Sequence, residues 1–363
     1  MASTNIRDMI DRPDHPMLKR AFNEIIEIVC HSDSSGMAPV DAWFKRLIEE
    51  TVPHGKCIRG MLLLSTYQMV ETSSNTESLE LATIAFWLIE MSQALALILD
   101  DFVDRAQTRR GRVCWHLRDD VGSMALYDVF LLEQGIYEVM RRRFKNHRHY
   151  VDFLELTHEI ALITIKGQSL DMLAERGRLS SEEVYKELIN AKTALYTFYL
   201  PVRFGLLLAH KDDFALHMKV REFSLKIGSI FQQQDDFLDC YGDPSATGKI
   251  GTDITDGKCT WFYVTAMKLA DESQRKVLEE NYGQGKPGGS AESKVKAIYE
   301  ELALESRFQE FINEQFHDAK DFLVKCDFPF LSFDLALVEI EGRPQHCRTD
   351  SWVPFVWPQL ELV

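Results

Sequence analysis

The chain has 363 residues, of which 45% are hydrophobic and 27% are charged, and its formal net charge at pH 7 is -15. This length and composition predict a globular protein with enough chain to bury a sizeable core. The acidic charge argues against binding to nucleic acid or to an anionic membrane, because both depend on an excess of Lys and Arg.

Apolar residues recur at helical spacing almost throughout the chain, whereas the alternation that is typical of strands is scarce. We therefore predict an all-α fold. The stretch 79–99 is the most apolar, but Glu80, Glu90 and Gln93 within it predict a buried helix and no membrane span. In chain order, the predicted helices cover 17–31, 38–50, 57–72, 77–104, 121–145, 149–175, 181–209, 215–241, 259–280 and 292–325.

Two loops rich in turn-forming residues interrupt these helices, at 241–258 and at 283–290. Neither separates two cores, so residues 1–363 are predicted to form a single helical domain. The tail from about residue 327 is predicted to be irregular and to pack against the body, since it contains Pro329, Pro344, Pro354 and Pro358 with Trp352 and Trp357.

Targeting and redox signals are also informative. The segment MASTNIRDMIDRPDH has no apolar secretory core and carries acidic residues that transit peptides avoid. The 7 cysteines are scattered and show no C-x-x-C spacing for zinc or redox chemistry. Both features predict a cytoplasmic protein with reduced thiols.

Two aspartate clusters with the spacing D-D-x-x-D carry the chemical signal. Asp100, Asp101 and Asp104 close the apolar helix, and Asp235, Asp236 and Asp239 repeat the pattern after GSIFQQQ. Such clusters can be ordinary solvated helix ends, yet carboxylates four residues apart repel each other and oppose the helix dipole. A divalent cation explains this cost, because Mg²⁺ prefers oxygen ligands and shares them with phosphate groups, and Mn²⁺ suits the same ligands.

Cationic side chains follow each cluster. Arg109 and Arg110 come shortly after the first, and Lys249 and Lys258 after the second. An arginine pair alone is more often a surface feature, but beside bound metal these groups could hold a diphosphate.

Several segments resemble the trans-isoprenyl diphosphate synthase family, and the farnesyl diphosphate synthases of animals most closely. They occur in the family's order across most of the chain. The segments are GKCIRG (55–60), QALALILDDFVDRAQTRRGRVCW (93–115), GQSLD (167–171), KTALYTFYLPV (192–202) and FQQQDDFLDCYGDPSATGKIGTDITDGKCTW (231–261).

The resemblance implies an isoprenoid-synthase-type helical bundle around a central cavity, a homodimer, and three Mg²⁺ ions bridging the two clusters to an allylic diphosphate. Asp100, Asp104 and Asp235 would bind metal directly, and Asp101, Asp236 and Asp239 would complete the shell directly or through water. The further roles that it implies are charge partners of the allylic diphosphate (Arg109, Lys192, Lys249, Lys258), dipoles aimed at the allylic cation (Thr193, Gln232) and the site for isopentenyl diphosphate (Lys56, Arg59, Gln93, Arg110).

Three features depart from the family pattern. His54 and Ile58 replace a glycine and an asparagine of the first segment, and isoleucine cannot hydrogen-bond a diphosphate. The chain ends in WPQLELV where a short basic tail is usual. Leu95 and Ala96 stand where members that make C15 products usually carry bulky aromatic residues.

Two functions of different classes follow from this resemblance. The leading hypothesis is a prenyltransferase that makes farnesyl or geranylgeranyl diphosphate. The alternative is a terpene synthase of the same origin, which converts farnesyl or geranylgeranyl diphosphate into a sesqui- or diterpene, and Ile58, the tail and Ala96 favour it. A non-catalytic partner subunit would have no need for mutually repelling carboxylates.

Ala96 lies one helical turn, about 5.4 Å, before Asp100 on the same face, so it is expected to border the cavity for the growing chain. We predict that this cavity accepts chains longer than C15, unless another bulky residue such as Phe86 or Phe130 fills the space. Substituting Ala96→Phe should shorten the product by about one isoprene unit, measured by chromatography of the dephosphorylated products. Unchanged product length would place the limiting wall elsewhere.

Overall fold

The computed structural model describes residues 15–71, 76–177, 179–243 and 251–326. Within these ranges the chain is almost entirely helical, which confirms the all-α prediction. The helices are α1 (Pro16–Val29), α2 (Ala38–Thr51), α3 (Ile58–Val70), α4 (Thr76–Val103), α5 (Ala125–Arg143), α6 (Tyr150–Gly177), α7 (Glu182–Ile189), α8 (Leu200–Leu208), α9 (Phe214–Tyr241), α10 (Asp253–Asp256), α11 (Trp261–Leu269), α12 (Glu272–Asn281), α13 (Ser290–Glu301) and α14 (Leu304–Cys326).

Helix α4 is the central element of the core, and α1, α3 and α5 pack against it. It is the one helix, among the described residues, that is long and apolar enough to cross a membrane, but 78% of its most apolar window is buried inside the protein. This confirms the predicted buried helix. The Trp87 indole nitrogen of α4 donates to the Leu18 carbonyl of α1 at 2.8 Å, so the one polar atom of this buried ring is satisfied.

A π-helical segment, Asn190–Tyr199, joins α7 to α8 and lies between α6 and α9. Two glycines permit its close packing. A β-carbon on Gly167 of α6 would lie 2.4 Å from the Lys192 backbone nitrogen, and one on Gly228 of α9 would lie 2.2 Å from the Ala194 β-carbon. Widened π turns are common at functional sites, and this segment carries Lys192 and Thr193.

Some predicted boundaries were wrong. The predicted helix 259–280 is divided into α11 and α12, because Ala270 is extended and Asp271 forms a capping box with Gln274. The predicted helix 292–325 is divided into α13 and α14 at Ala303, whose φ is +52°. The predicted loop 241–258 contains the short helix α10.

A short hairpin after α4 was not predicted. Thr108–Arg109 (β1) pairs antiparallel with Arg112–Val113 (β2). The two turn residues between them, Arg110 and Gly111, have φ values of +54° and +72°, as a tight two-residue hairpin of this kind requires. Lys249 and the predicted tail from residue 327 lie outside the described residues, and the single-domain assignment stays a prediction.

Candidate active site

The first aspartate cluster lies at the C-terminal end of α4. Asp101 is buried, and the hairpin after α4 turns the Arg109 guanidinium back towards it. Arg109 donates from Nε to Asp101 Oδ1 at 2.8 Å and from Nη2 to Asp100 Oδ2 at 3.3 Å. The positive charge of Arg109 therefore compensates the Asp100 and Asp101 carboxylates of the first cluster.

Lys192 and Lys258 lie close to Asp100 and Asp104 of this cluster, and both also contact Asp171 of α6. Lys192 Nζ lies 2.6 Å from Asp171 Oδ2 and 3.6 Å from Asp100 Oδ1. Lys258 Nζ lies 3.4 Å from Asp171 Oδ2 and 3.1 Å from Asp104 Oδ1. Each lysine thus joins one member of the aspartate cluster to the same buried carboxylate.

The electrostatics of this network show both the repulsion and its compensation. Burial and the neighbouring Asp100 carboxylate raise the pKa of Asp104. Although burial favours the neutral forms, the carboxylates around Lys192 and Lys258 raise the pKa of both ammonium groups. The same two lysines lower the pKa of Asp171 against the opposing effect of its burial. Both lysines are therefore cations at neutral pH.

One face of α6 lines this network. Gln168 donates from Nε2 to Asp100 Oδ1 at 3.4 Å, and Glu175 Oε2 lies 3.2 Å from Lys258 Nζ. Gln168, Asp171 and Glu175 follow the helical repeat, so they share one side of α6. Sequence reasoning did not assign these residues, although the quoted segment GQSLD contains two of them and their helical spacing was a usable signal.

The second aspartate cluster lies near the C-terminal end of α9, and its members differ in environment. Asp236 is 4% exposed and accepts hydrogen bonds from Tyr185 Oη at 2.6 Å, the Trp261 backbone nitrogen at 2.9 Å and Gln232 Nε2 at 3.1 Å. Burial raises the pKa of Asp236 to about 7. Its carboxylate therefore faces protein donors from α7, α9 and α11.

Asp235 and Asp239 are only partly buried. Asp239 Oδ1 accepts from the Asp253 backbone nitrogen at 3.0 Å, which ties the start of α10 to α9. Gly251 makes this approach possible, because a β-carbon there would lie 1.9 Å from the Asp239 carbonyl oxygen. The backbone after the second cluster thus folds back onto it.

The π segment connects the two clusters. Lys192 contacts Asp100 of the first cluster, while the adjacent Thr193 donates from its hydroxyl to Gln232 Oε1 at 2.8 Å. Gln232 lies one helical turn before Asp236 and is bonded to it. Both clusters therefore border the same region of the protein.

The residues predicted for a second diphosphate gather around the start of α3. Arg59 donates from Nη2 to Tyr196 Oη at 2.9 Å and to Thr197 Oγ1 at 2.8 Å, and its guanidinium lies over the Tyr196 ring. Arg110 packs across Gly55, where a β-carbon would lie 2.6 Å from its Nη2. Lys56 is exposed.

Gln93 lies one helical turn after Glu90 on α4, and Glu90 accepts from the Gly60 backbone nitrogen at 2.9 Å. The Oε1 atom of Gln93 is buried and, among the described residues, has no hydrogen-bond partner. This amide oxygen can only accept, so it could not itself bind the oxygens of a diphosphate.

Leu95 and Ala96, predicted to border the chain-length cavity, are both partly buried on α4, and Leu95 packs against the hydrophobic core. Phe86 is fully buried and occupies the space beside Gly60, whereas Phe130 is 60% exposed. These contacts do not place the Phe86 or the Phe130 side chain next to Ala96.

The residues present suit a hard divalent cation in part. Asp100, Asp104, Asp235 and Asp239 offer carboxylate oxygens, the ligands that Mg²⁺ prefers. Asp101 and Asp236 are buried against protein donors, whereas Asp100, Asp104 and Asp239 are partly exposed and also accept from protein groups. No three His, Cys, Asp or Glu side chains of the described ranges stand close enough to hold a metal ion on their own. Phosphate oxygens and water would have to supply the remaining ligands.

Comparisons with known proteins show which family the chain is similar to. Residues 41–302 match the sequence model of the polyprenyl synthetase family. The chain is 37% identical to the farnesyl pyrophosphate synthase of Rattus norvegicus, with 85% of this chain and 89% of the relative covered. It is 38% identical to the farnesyl pyrophosphate synthase of Gallus gallus, covering 78% and 79%, and 41% identical to that of Zea mays, covering 76% and 79%.

The shared position of Asp171 yields a stability prediction. Replacing Asp171→Asn should lower the free energy of unfolding by about 3 kcal/mol, because two buried ammonium groups lose their common counter-charge. Since folding lowers the pKa of Asp171, its contribution is complete above about pH 5 and is lost as the pH falls below about 4. The difference from wild type in urea unfolding with EDTA should therefore be constant from pH 6 to pH 8.

Glu175→Gln is the matched control, because Glu175 contacts Lys258 but its side chain is 36% exposed. Its loss should cost less than about 1 kcal/mol, as for other exposed ion pairs. Equal losses for the two variants would contradict the assignment of Asp171 as the shared counter-charge.

Proposed function

Because this chain belongs to the polyprenyl synthetase family, we propose that it is a magnesium-dependent trans-prenyltransferase that condenses an allylic diphosphate with isopentenyl diphosphate. Its product would be farnesyl or geranylgeranyl diphosphate. One observation carries this proposal: Lys192 and Lys258, both cationic, are held between the first aspartate cluster and Asp171. Such an arrangement suits a polyanionic leaving group that enters together with divalent cations.

The reaction would begin with heterolysis of the bond between the allylic carbon and the diphosphate oxygen, and the electron pair would leave with the oxygen. Bound Mg²⁺, three ions by resemblance to the family, would supply Lewis-acid stabilisation of the departing charge. Asp100, Asp104 and Asp235 would hold these ions, with Asp101, Asp236 and Asp239 as the outer members. Arg109, Lys192 and Lys258 would bind the diphosphate oxygens directly, and Lys249 is proposed as a further partner.

The allylic cation needs an environment that stabilises it and excludes water. Thr193 and Gln232 are bonded to each other beside Lys192, which supports their proposed role of presenting oxygen dipoles to the cation. The double bond of isopentenyl diphosphate would then attack, and the released diphosphate would accept the proton lost. No protein nucleophile is required.

Binding of isopentenyl diphosphate is supported by the charges near the start of α3. Lys56, Arg59 and Arg110 can carry positive charge there, and Arg59 is already oriented by Tyr196 and Thr197. Ile58 begins α3 and offers no hydrogen bond. We propose that the cations compensate for it.

A substrate matrix tests this function against terpene synthesis. Purified protein with Mg²⁺ should elongate geranyl or farnesyl diphosphate only when isopentenyl diphosphate is present, as measured by analysis of the diphosphates and of volatile hydrocarbons. Addition of EDTA should abolish turnover, since the lysines alone cannot replace the metal charge. Hydrocarbon formed without isopentenyl diphosphate would instead support the terpene synthase.

We also propose a homodimer located in the cytoplasm. Two neighbouring helices expose large apolar side chains at helical spacing: Tyr127 and Phe130 on α5 are 70% and 60% exposed, and Leu162 and Ile165 on α6 are 49% and 52% exposed. Exposed apolar surface of this kind usually marks an interaction site, and a second copy of the chain could cover it around a two-fold axis. The buried position of α4 supports a soluble protein.

Substituting Phe130→Glu should convert the dimer into monomers, because a charge would have to be buried in the interface. The mass in solution, measured by light scattering after size exclusion, reports this change. Phe214→Glu is the control, since Phe214 is 78% exposed but belongs to the start of α9. A dimer that survives Phe130→Glu would place the interface elsewhere.

A further inference from the structure

A chain of hydrogen bonds links Asp236 through Gln232 to Thr193, the residue that follows Lys192. Its Oδ2 atom accepts from Tyr185 Oη at 2.6 Å and from the Trp261 backbone nitrogen at 2.9 Å. Its Oδ1 atom accepts from Gln232 Nε2 at 3.1 Å, and Gln232 Oε1 accepts from the Thr193 hydroxyl at 2.8 Å. The chain is therefore directional from Thr193 through Gln232 to Asp236.

The direction follows from what each group can do. In its ionised form Asp236 only accepts hydrogen bonds, so Gln232 turns its amino group towards Asp236 and its carbonyl oxygen towards Thr193. An amide next to a neutral neighbour could adopt either orientation. Here the buried, ionised carboxylate selects one of the two, and it contacts the opposite end of the amide from Thr193.

We infer that Asp236 is a positioning residue that fixes the polarity of the Gln232 amide, so that an oxygen and not an N–H group faces the allylic cation. This inference rests on the proposed function, because it assigns the site of the cation to the Thr193 side of Gln232. It also gives Asp236 a role different from that of Asp235, Asp100 and Asp104, which are proposed as direct metal ligands. Tyr185 supports the same role by holding the second oxygen of Asp236.

The substitution Asp236→Asn makes the inference testable without removing a hydrogen bond. The Trp261 backbone nitrogen can only donate, so the Asn oxygen must take the position of Oδ2 and the Asn amino group must face Gln232. Gln232 then has to turn its carbonyl towards Asn and its amino group towards Thr193. The variant keeps every partner satisfied but reverses the polarity presented to the cation.

Binding of a cation analogue gives a readout that does not need turnover. The probe is an allylic-chain amine whose protonated nitrogen stands where the cation would form, titrated calorimetrically with Mg²⁺ and inorganic pyrophosphate. Asp236→Asn should weaken its binding about fivefold or more, as expected for one reversed polar contact. Asp236→Asn should weaken the binding of Mg²⁺ and inorganic pyrophosphate alone much less than Asp235→Asn does, because Asp235 is the proposed direct ligand.

A charge-conserving exchange provides the rescue. In the double variant Asp236→Asn with Gln232→Glu, the Glu carboxylate accepts from the Asn amino group and again presents an oxygen to Thr193. Binding of the amine probe should return to within about threefold of wild type. Tyr185→Phe is the matched control, because it removes a hydrogen bond from Asp236 but leaves a carboxylate facing Gln232, so amine binding should be unchanged.

The outcomes separate the inference from the proposed function. Unchanged amine binding in Asp236→Asn, or no recovery in the double variant, overturns the inference. Loss of Mg²⁺-pyrophosphate binding equal to that of Asp235→Asn also overturns it, because Asp236 would then act as a metal ligand. If Asp236→Asn does not fold, the affinity of the double variant for the amine probe tests the inference instead, since it is predicted to lie near that of wild type. Failure of the wild type to elongate with isopentenyl diphosphate sinks the proposed function but not these binding results.

Discussion

The structure depends on the cost of placing several carboxylates together at the ends of apolar helices. Asp100 and Asp104 face the same side of α4, and burial together with the nearby Asp100 carboxylate raises the pKa of Asp104. Two lysines and Arg109 offset this cost in the protein itself. Both lysines also contact Asp171, so a carboxylate outside the cluster helps to fix their positions. Cations that are fixed in this way favour charge stabilisation during a reaction.

Close backbone packing gives this charged network its geometry. Lys192 and Thr193 point into the site only because the π segment lies against α6 and α9, and Gly167 and Gly228 leave no side chain in the way. On the other side, the turn at Arg110 and Gly111 returns Arg109 to Asp101. The π segment with its two glycine contacts therefore positions Lys192, and the turn at Arg110 and Gly111 positions Arg109, while the long helices supply rigidity.

The sequence allowed the helical class and most helix positions to be predicted, since amphipathic spacing is local information. The D-D-x-x-D spacing likewise identified the two clusters, whereas their location in one region was an expectation from the family resemblance. What could not be predicted depends on contacts between distant residues. The helical spacing could have placed Asp171 on one face of α6, but its contact with Lys192 depends on the packing of α6 against the π segment, and the contact of Tyr185 with Asp236 depends on the packing of α7 against α9. The breaks at Ala270 and Ala303 were missed because neither position carries a proline or glycine.

The second aspartate of each D-D-x-x-D motif is more buried than the first and the last, and helix geometry explains this difference. The second aspartate of each motif is rotated about 100° from the first, whereas the fifth position is rotated by only about 40°. The second side chain must therefore point towards a neighbouring part of the fold while the first and fifth share the open face. Asp101 is buried against Arg109, and Asp236 is buried against Tyr185, Trp261 and Gln232. In both clusters the second aspartate is therefore buried against neighbouring donors, while the first and last aspartates stay partly exposed.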